Sequence, residues 1–331
     1  MRHNRLNDIL DAMSGRRILV IGDVMMDEYV WGDVKRISPE APVMVVEVER
    51  ETYTPGGAGN VLNNIQVLGG ISSVIGVIGD DDIGRRLVSC LSESGVDVTG
   101  LVTDPSRPTT RKTRIIAHSQ QVVRVDRENQ KRLSGRATKE AVSRLADKVA
   151  AVDVVVFSDY DKGVAVPEIT RTLLELAKKH GKAVVVNPKP RNVKQFKSAS
   201  VISLNQSEAE AVTGISIADD TGLQRAAKRL LNALQPETLL ITRGPLGMSL
   251  FSANGETETI PAHLVEVYDV AGAGDTVVSV LALALAAGAT PNEAAILANC
   301  AGGAVVRKVG VASVTRDEIT ALLNDERSTP K

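Results

Sequence analysis

Short runs of branched aliphatic residues alternate with longer segments of helical period along most of the chain. The strand-like runs are RRILVIGD at 16–23, SSVIGVIGDD at 72–81, DVVVFSDY at 153–160, AVVVNP at 183–188, VISLN at 201–205 and TLLITRG at 238–244. Between them lie helical patterns: NVLNNIQVLGG at 60–70, DIGRRLVSCLSESG at 82–95, VPEITRTLLELAKKHG at 166–181 and LQRAAKRLLNALQ at 223–235. In the second of these, Ile83, Leu87, Val88 and Leu91 share one helical face. Strands this continuously apolar, separated by helices, predict a mostly parallel α/β sheet covered on both faces. Ligands of such sheets bind beyond the carboxyl ends of the strands. Asp23, Asp159, Asn187 to Lys189, Asn205 and Arg243 all stand at such ends.

Two segments, 28–56 and 107–128, break the rhythm: their strand patterns have no helix between them. KTRIIAHSQQVVRVD predicts a hairpin turning near Ser119. Together they predict a small antiparallel sheet appended to the main one, serving as a lid or a dimer surface. No repeat or long linker divides the chain, so residues 1–331 are expected to form a single domain.

Composition narrows the partners. Lys and Arg number 39 against 40 Asp and Glu, a net charge of -1, which argues against nucleic acid and against a polybasic membrane anchor. The 2% aromatic content supplies no stacking platform for single-stranded nucleic acid. VVSVLALALAAGA at 277–289 is too short for a membrane span, and the N-terminus has no signal-peptide core. Cys90 and Cys300 read as free thiols, and His3, His118, His180 and His263 lack metal-ligand spacing. A soluble, cytoplasmic protein is expected.

Three motifs carry chemistry. GGAGN at 56–60 lets backbone approach a ligand, with Asn60 as donor and acceptor, or else is an ordinary turn; the residues alone leave the two even. In NPK at 187–189 and NQSE at 205–208, Lys189 suits a phosphate, and Asn205 with Glu208 suits a hydrated Mg²⁺. A capping box formed by the same Asn and Glu is the stronger reading on sequence alone. In DVAGAGDT at 269–276, the N–H groups of Gly272, Ala273 and Gly274 converge on an anion at a helix N-terminus. There is no third glycine for a dinucleotide fingerprint and no lysine for a Walker loop. A helix cap would account for Asp275 but not for the glycines beside it. A base that takes the proton of an attacking hydroxyl during phosphoryl transfer accounts for both.

In their order and spacing these motifs resemble the ribokinase (PfkB) family of carbohydrate kinases. The likeness covers essentially the whole chain: GGAGNVLNNIQVLGG, NQSE, ITRGPLGMSLF and DVAGAGDT each match a family element. It implies a three-layer α/β/α sandwich with ATP and Mg²⁺. Asp275 would be the base; Gly272, Ala273 and Gly274 the anion hole; Asn205 and Glu208 the Mg²⁺–phosphate side; Arg243, Gly244, Gly247 and Asn299 the nucleotide side. Asp27, Gly56, Gly57 and Asn60, with Asp23, would contact the sugar. Val270–Ala271 stands where the family often has threonine, which leaves activation by K⁺ open. RISPEAPVMVVEV, GDDDIGRRL, TRKTRIIAHSQQVVRVDRE and NPKPRNVKQF further resemble the branch that phosphorylates D-glycero-D-manno-heptose 7-phosphate at O1 for ADP-heptose and lipopolysaccharide core synthesis. Lys112, Arg114, Lys189 and Arg191 are the candidate cations for the 7-phosphate. The resemblance also implies a homodimer through the lid. With the chain ending at Lys331, the pathway's nucleotidyltransferase is expected on a separate protein. The rivals are a kinase of another sugar phosphate and a non-catalytic sugar-binding relative.

Overall fold

Thirteen strands and ten α-helices run through residues 2–118 and 120–325, which the computed structural model describes. The strands are β1 Arg17–Gly22, β2 Val24–Ile37, β3 Met44–Gly57, β4 Ile71–Ile78, β5 Asp97–Thr103, β6 Arg111–Ala117, β7 Gln120–Arg127, β8 Val154–Ser158, β9 Ala183–Asn187, β10 Val201–Asn205, β11 Thr238–Thr242, β12 Met248–Ser252 and β13 Thr257–Ile260. The helices are α1 Arg2–Ala12, α2 Ala58–Val67, α3 Asp82–Glu93, α4 Gly135–Lys148, α5 Pro167–His180, α6 Gln206–Thr213, α7 Asp220–Leu234, α8 Ala273–Ala286, α9 Pro291–Val305 and α10 Arg316–Leu323.

Nine strands form the main sheet in the order β13-β12-β11-β10-β9-β8-β1-β4-β5. It is parallel from β5 to β11, and β12 and β13 add an antiparallel edge. Strand periodicity explains why the runs are apolar throughout. Ile18 and Val20 of β1 point into one core with Leu62, Val280 and Leu297, while Leu19 and Ile21 point into the other with Leu145, Leu173 and Leu230. Helices α1, α2, α3, α8, α9 and α10 cover the first face, and α4, α5 and α7 cover the second. This is the expected α/β/α sandwich.

The remaining four strands form a separate sheet, β3-β2-β6-β7. Its outer pairs, β3–β2 and β6–β7, are antiparallel, while β2 and β6 run parallel. Segment 28–56 holds most of one long hairpin that begins at Val24, only two residues after β1 ends. The turn expected at Ser119 lies outside the described residues. Among those residues, no helix is long and apolar enough to cross a membrane.

Candidate active site

The site lies beyond the carboxyl ends of β1, β8, β9, β10 and β11, where α8 begins. Asp269 shapes the approach to that helix: its carboxylate accepts the N–H of Ala271 and of Gly310, both at 2.9 Å. The backbone then turns left-handed at Gly272, φ 78°, and α8 starts at Ala273. A Cβ on Gly272 would lie 2.8 Å from Asn60 Nδ2, so glycine is required here by space as well as by φ.

This turn buries Asp275 in the first turn of α8. Asn60 Nδ2 donates to its Oδ2 at 2.8 Å, and the Tyr160 hydroxyl donates to its Oδ1. Burial pushes the Asp275 carboxyl up to about 6; the two hydrogen bonds and the charge of Lys189 pull the other way, and Asp27 adds to the rise. A polar network continues behind it: Asn64 Nδ2 donates to Asn60 Oδ1, and the Thr276 hydroxyl donates to Asn64 Oδ1, each at 3.2 Å.

One expected anion donor is lost. The Ala273 N–H donates to the Val270 carbonyl at 3.3 Å, because the turn into α8 folds it back on itself. Gly272 and Gly274 remain at the polar cavity, which holds about 130 Å³ and is lined also by Tyr160, Asn187, Lys189, Asn205, Glu208 and Asp275. Asn205 and Glu208 do form the capping box: Asn205 Oδ1 accepts the Glu208 N–H at 2.8 Å, and Glu208 Oε2 accepts the Asn205 N–H at 2.9 Å. Glu208 Oε1 also holds Lys189 Nζ at 2.7 Å. Capping and cavity lining therefore coexist. No group of three or more Asp, Glu, His or Cys among the described residues gathers to hold a metal.

An apolar cavity of about 360 Å³ adjoins this one, sharing Thr242, Gly274 and Val277. Gly244, Gly247, His263, Ala273 and Asn299 line it, and Asn299 Nδ2 is fixed by the Pro261 carbonyl at 2.8 Å. Together the two cavities form a groove with an apolar end and a polar end beside Asp275. Arg243 departs from expectation: its guanidinium turns to Asp220 at the start of α7, 3.4 Å away, and lines neither cavity.

On the other side of Asp275 stand Asp27 and the small sheet. Asp27 is buried in an ion pair with Arg114. Gly56 makes room for it, since a Cβ there would fall 1.9 Å from Asp27 Oδ2, and Gly57 turns the chain into α2 with φ 58°. Lys112 pairs with Asp126 at 3.2 Å on the same sheet.

Three expected sugar-side residues are placed differently. Asp23 is consumed by the backbone: it accepts the N–H groups of Tyr160 at 2.8 Å and of Lys162 and Val164 at 3.1 Å. Burial, then the nearby Asp159, raises its carboxyl to about 6. Asp23 therefore supports the loop after β8 rather than facing a ligand. Lys189 belongs to the polar cavity beside Glu208, not to the small sheet. Arg191 is exposed and leans on Asp161 at 3.6 Å.

Sequence reasoning missed Tyr160, although it follows Asp159 at a strand end that had been marked. It missed Asn64 and Thr276 as well, because their polarity inside α2 and α8 acquires meaning only when the helices meet.

The pfkB family carbohydrate kinase pattern matches residues 16–318. A protein of Desulfatibacillum aliphaticivorans named bifunctional protein HldE is 46% identical over 317 residues, covering 96% of this chain and 65% of its own. The one from Geobacter sulfurreducens, also named bifunctional protein HldE, is 46% identical over 305 residues, covering 92% and 62%. The chain thus spans about two thirds of the length of these curated relatives. Among solved structures, phosphofructokinase-2 of Escherichia coli superposes with a TM-score of 0.77 at 19% identity, covering 93% of this chain and 98% of that one. Arabidopsis thaliana ribokinase, solved with ribose and ATP, gives 0.73 at 18% identity over 94% and 99%. These likenesses support the ribokinase-like fold, and the family match adds the activity: the chain belongs to the pfkB family of carbohydrate kinases and is a sugar kinase.

Proposed function

We propose that the enzyme transfers the γ-phosphoryl group of MgATP to O1 of D-glycero-D-manno-heptose 7-phosphate, giving heptose 1,7-bisphosphate. The observation that carries the reaction is the position of Asp275. It lies between a groove with an apolar and a polar end and a sheet bearing Asp27, Lys112 and Arg114. The relatives named bifunctional protein HldE and the motifs RISPEAPV and TRKTRIIAHSQQ support the heptose.

In this reading the purine lies in the apolar cavity near Asn299, Gly244 and Gly247. The phosphates meet the N-terminus of α8 and Lys189, with Asn205 and Glu208 holding a Mg²⁺ through water. When bound, that ion neutralises charge on the phosphates. Asp275, ionised above pH 6, takes the proton of the sugar O1 hydroxyl as its oxygen attacks the γ-phosphorus. The N–H groups of Gly272 and Gly274 and the Lys189 ammonium then stabilise charge on the moving phosphoryl group. Asp27 and Asn60 orient the sugar hydroxyls, and Arg114 and Lys112 receive the 7-phosphate. The same reading places the enzyme in the cytoplasm, as a homodimer through the small sheet, on the route to ADP-heptose, with a nucleotidyltransferase downstream. Closure of the sheet over the sugar excludes water and limits ATP hydrolysis.

An ADP-release assay over heptose 7-phosphate, fructose 6-phosphate, ribose 5-phosphate and the free sugars tests the assignment. Highest kcat/KM is expected with heptose 7-phosphate. Preference for a six-carbon phosphate or an unphosphorylated sugar would overturn it.

A further inference from the structure

Tyr160 occupies a place that the fold alone does not demand. The loop after β8 is fastened from three directions. Asp23 takes the N–H groups of Tyr160, Lys162 and Val164. Asp159 accepts the N–H groups of Asp161 at 2.8 Å and Lys189 at 2.9 Å, together with the Asn192 amide. Arg107 reaches the carbonyls of Asn129 and Lys162. From this fixed backbone the phenol reaches inward, and its hydroxyl meets Asp275 across a separation of 115 residues. The other face of the problem is Lys189, whose ammonium sits 5.4 Å from the centre of the Tyr160 ring while paired with Glu208.

We propose that Tyr160 is a positioning residue for the base: its hydroxyl donates to Asp275 Oδ1 and, opposite Asn60 on Oδ2, fixes the plane of the carboxylate. The inference rests on Asp275 being the base. Two donors on two oxygens leave the remaining lone pairs of a carboxylate that cannot rotate, so the acceptor hydroxyl always meets the same geometry. The phenol is suited to hold its proton throughout. Burial, and then the charge of Asp275, raise its pKa well above the usual tyrosine value of 10. The groups facing Asp275 are Tyr160 from the loop after β8, Asn60 from α2, Lys189 from the loop after β9 and Asp27 from β2. Of these, Tyr160 and Asn60 alone touch the carboxylate through hydrogen bonds.

The test follows the Asp275 carboxyl directly, by ¹³C NMR of protein labelled at aspartate Cγ, without sugar or nucleotide. Asp275→Asn identifies the resonance by its loss. In Tyr160→Phe the titration midpoint should move up by half a pH unit or more, since a bond that favours the charged form is gone. With heptose 7-phosphate and MgATP, the acid limb of kcat/KM should move with it, kcat at pH 7.5 should fall at least about tenfold, and KM for ATP should stay within twofold. A 3-fluorotyrosine at position 160 keeps the shape but is a stronger donor, and should move the midpoint down. An Asp275 titration unchanged in both variants would overturn the positioning role. Turnover retained by Asp275→Asn would instead overturn the base.

Discussion

Asp275 is a carboxylate largely withdrawn from water, and that has consequences for both stability and rate. Its ordinary value is 3.8 and its value in the fold about 6, so between those pH values the native state holds a proton the unfolded chain has released. The ionised group therefore opposes folding above pH 6, by up to about 3 kcal/mol, and the cost fades as pH falls to 3.8. Asp275→Asn should melt higher than the parent at pH 7.5, with the gain gone near pH 4, while turnover falls by about 10² to 10⁴. Calorimetry at both pH values checks the first part and steady-state rates the second; a lower melting temperature at pH 7.5 would show that the carboxylate is better solvated than its burial implies. In the parent, kcat/KM should decline below pH 6 as the base becomes protonated. Arg114 presents the opposite case. Removing it leaves Asp27 buried without its partner, so Arg114→Gln should cost about 2–4 kcal/mol. Adding Asp27→Asn should restore most of that stability but none of the activity, a cycle that denaturant melts can measure. Asp275 was legible from the glycines beside it, whereas Asp27, inside β2, was marked only by the family resemblance. Their partners were not, since Asn60 and Asp275 are 215 residues apart and only the folded sheet brings them to 2.8 Å. Asp23 was misread for a related reason. A strand-end acid is equally placed to face a ligand or a neighbouring loop, and three backbone N–H groups already claim this one.

The N-terminus of α8 depends on a backbone conformation as much as on a side chain. Gly272→Ala would impose a left-handed alanine and drive its Cβ to 2.8 Å from Asn60 Nδ2, dislodging the amide that orients Asp275. Gly288, after the other end of the same helix, has φ 86° and nothing within 4 Å of a Cβ. Gly288→Ala thus carries the conformational cost, about 1–2 kcal/mol, without the collision. Both variants should lose stability, and only Gly272→Ala should lose kcat by about tenfold or more. Equal rates in the two would mean that Asn60 does not orient the base. Runs such as ILVIG and VVVFS announced central strands because both of their faces are buried, one row in each core. The glycines of DVAGAGDT announced a tight turn, but not that Ala273 would spend its N–H on Val270. Which donors of a turn stay free is settled by its dihedral angles, and neighbouring glycines permit several.

At the scale of the molecule, the small sheet has two unlike faces set by strand register. In register on one face stand Asp27, Tyr29, Lys112, Arg114, Arg124 and Asp126, five of them charged. On the other stand Val30, Thr113, Ile115, Val123 and Val125, beside Glu28, Glu51, Arg111 and Arg127; Val123 and Val125 are 45% and 54% exposed. The alternation in TRIIAHSQQVVRV made the strands legible, whereas the alignment of Asp27 with Lys112 depended on the parallel pairing of β2 with β6. The exposed valines of β7 form an apolar strip on that face, which is costly to leave in water. We expect a second copy of the chain to cover it. Burying it there would hold the opposite, charged face over the sugar site, so assembly and catalysis should be linked. Val123→Glu with Val125→Glu places charges on that face and leaves the register of Asp27 and Arg114 intact. Light scattering should give a dimer for the parent and a monomer for the double variant. The monomer should show a raised KM for the sugar phosphate, because the sheet loses the support that keeps it over the site, and an unchanged KM for ATP, whose proposed groove lies at the main sheet. A parent that is monomeric at assay concentrations would overturn the link, as would a variant that stays dimeric.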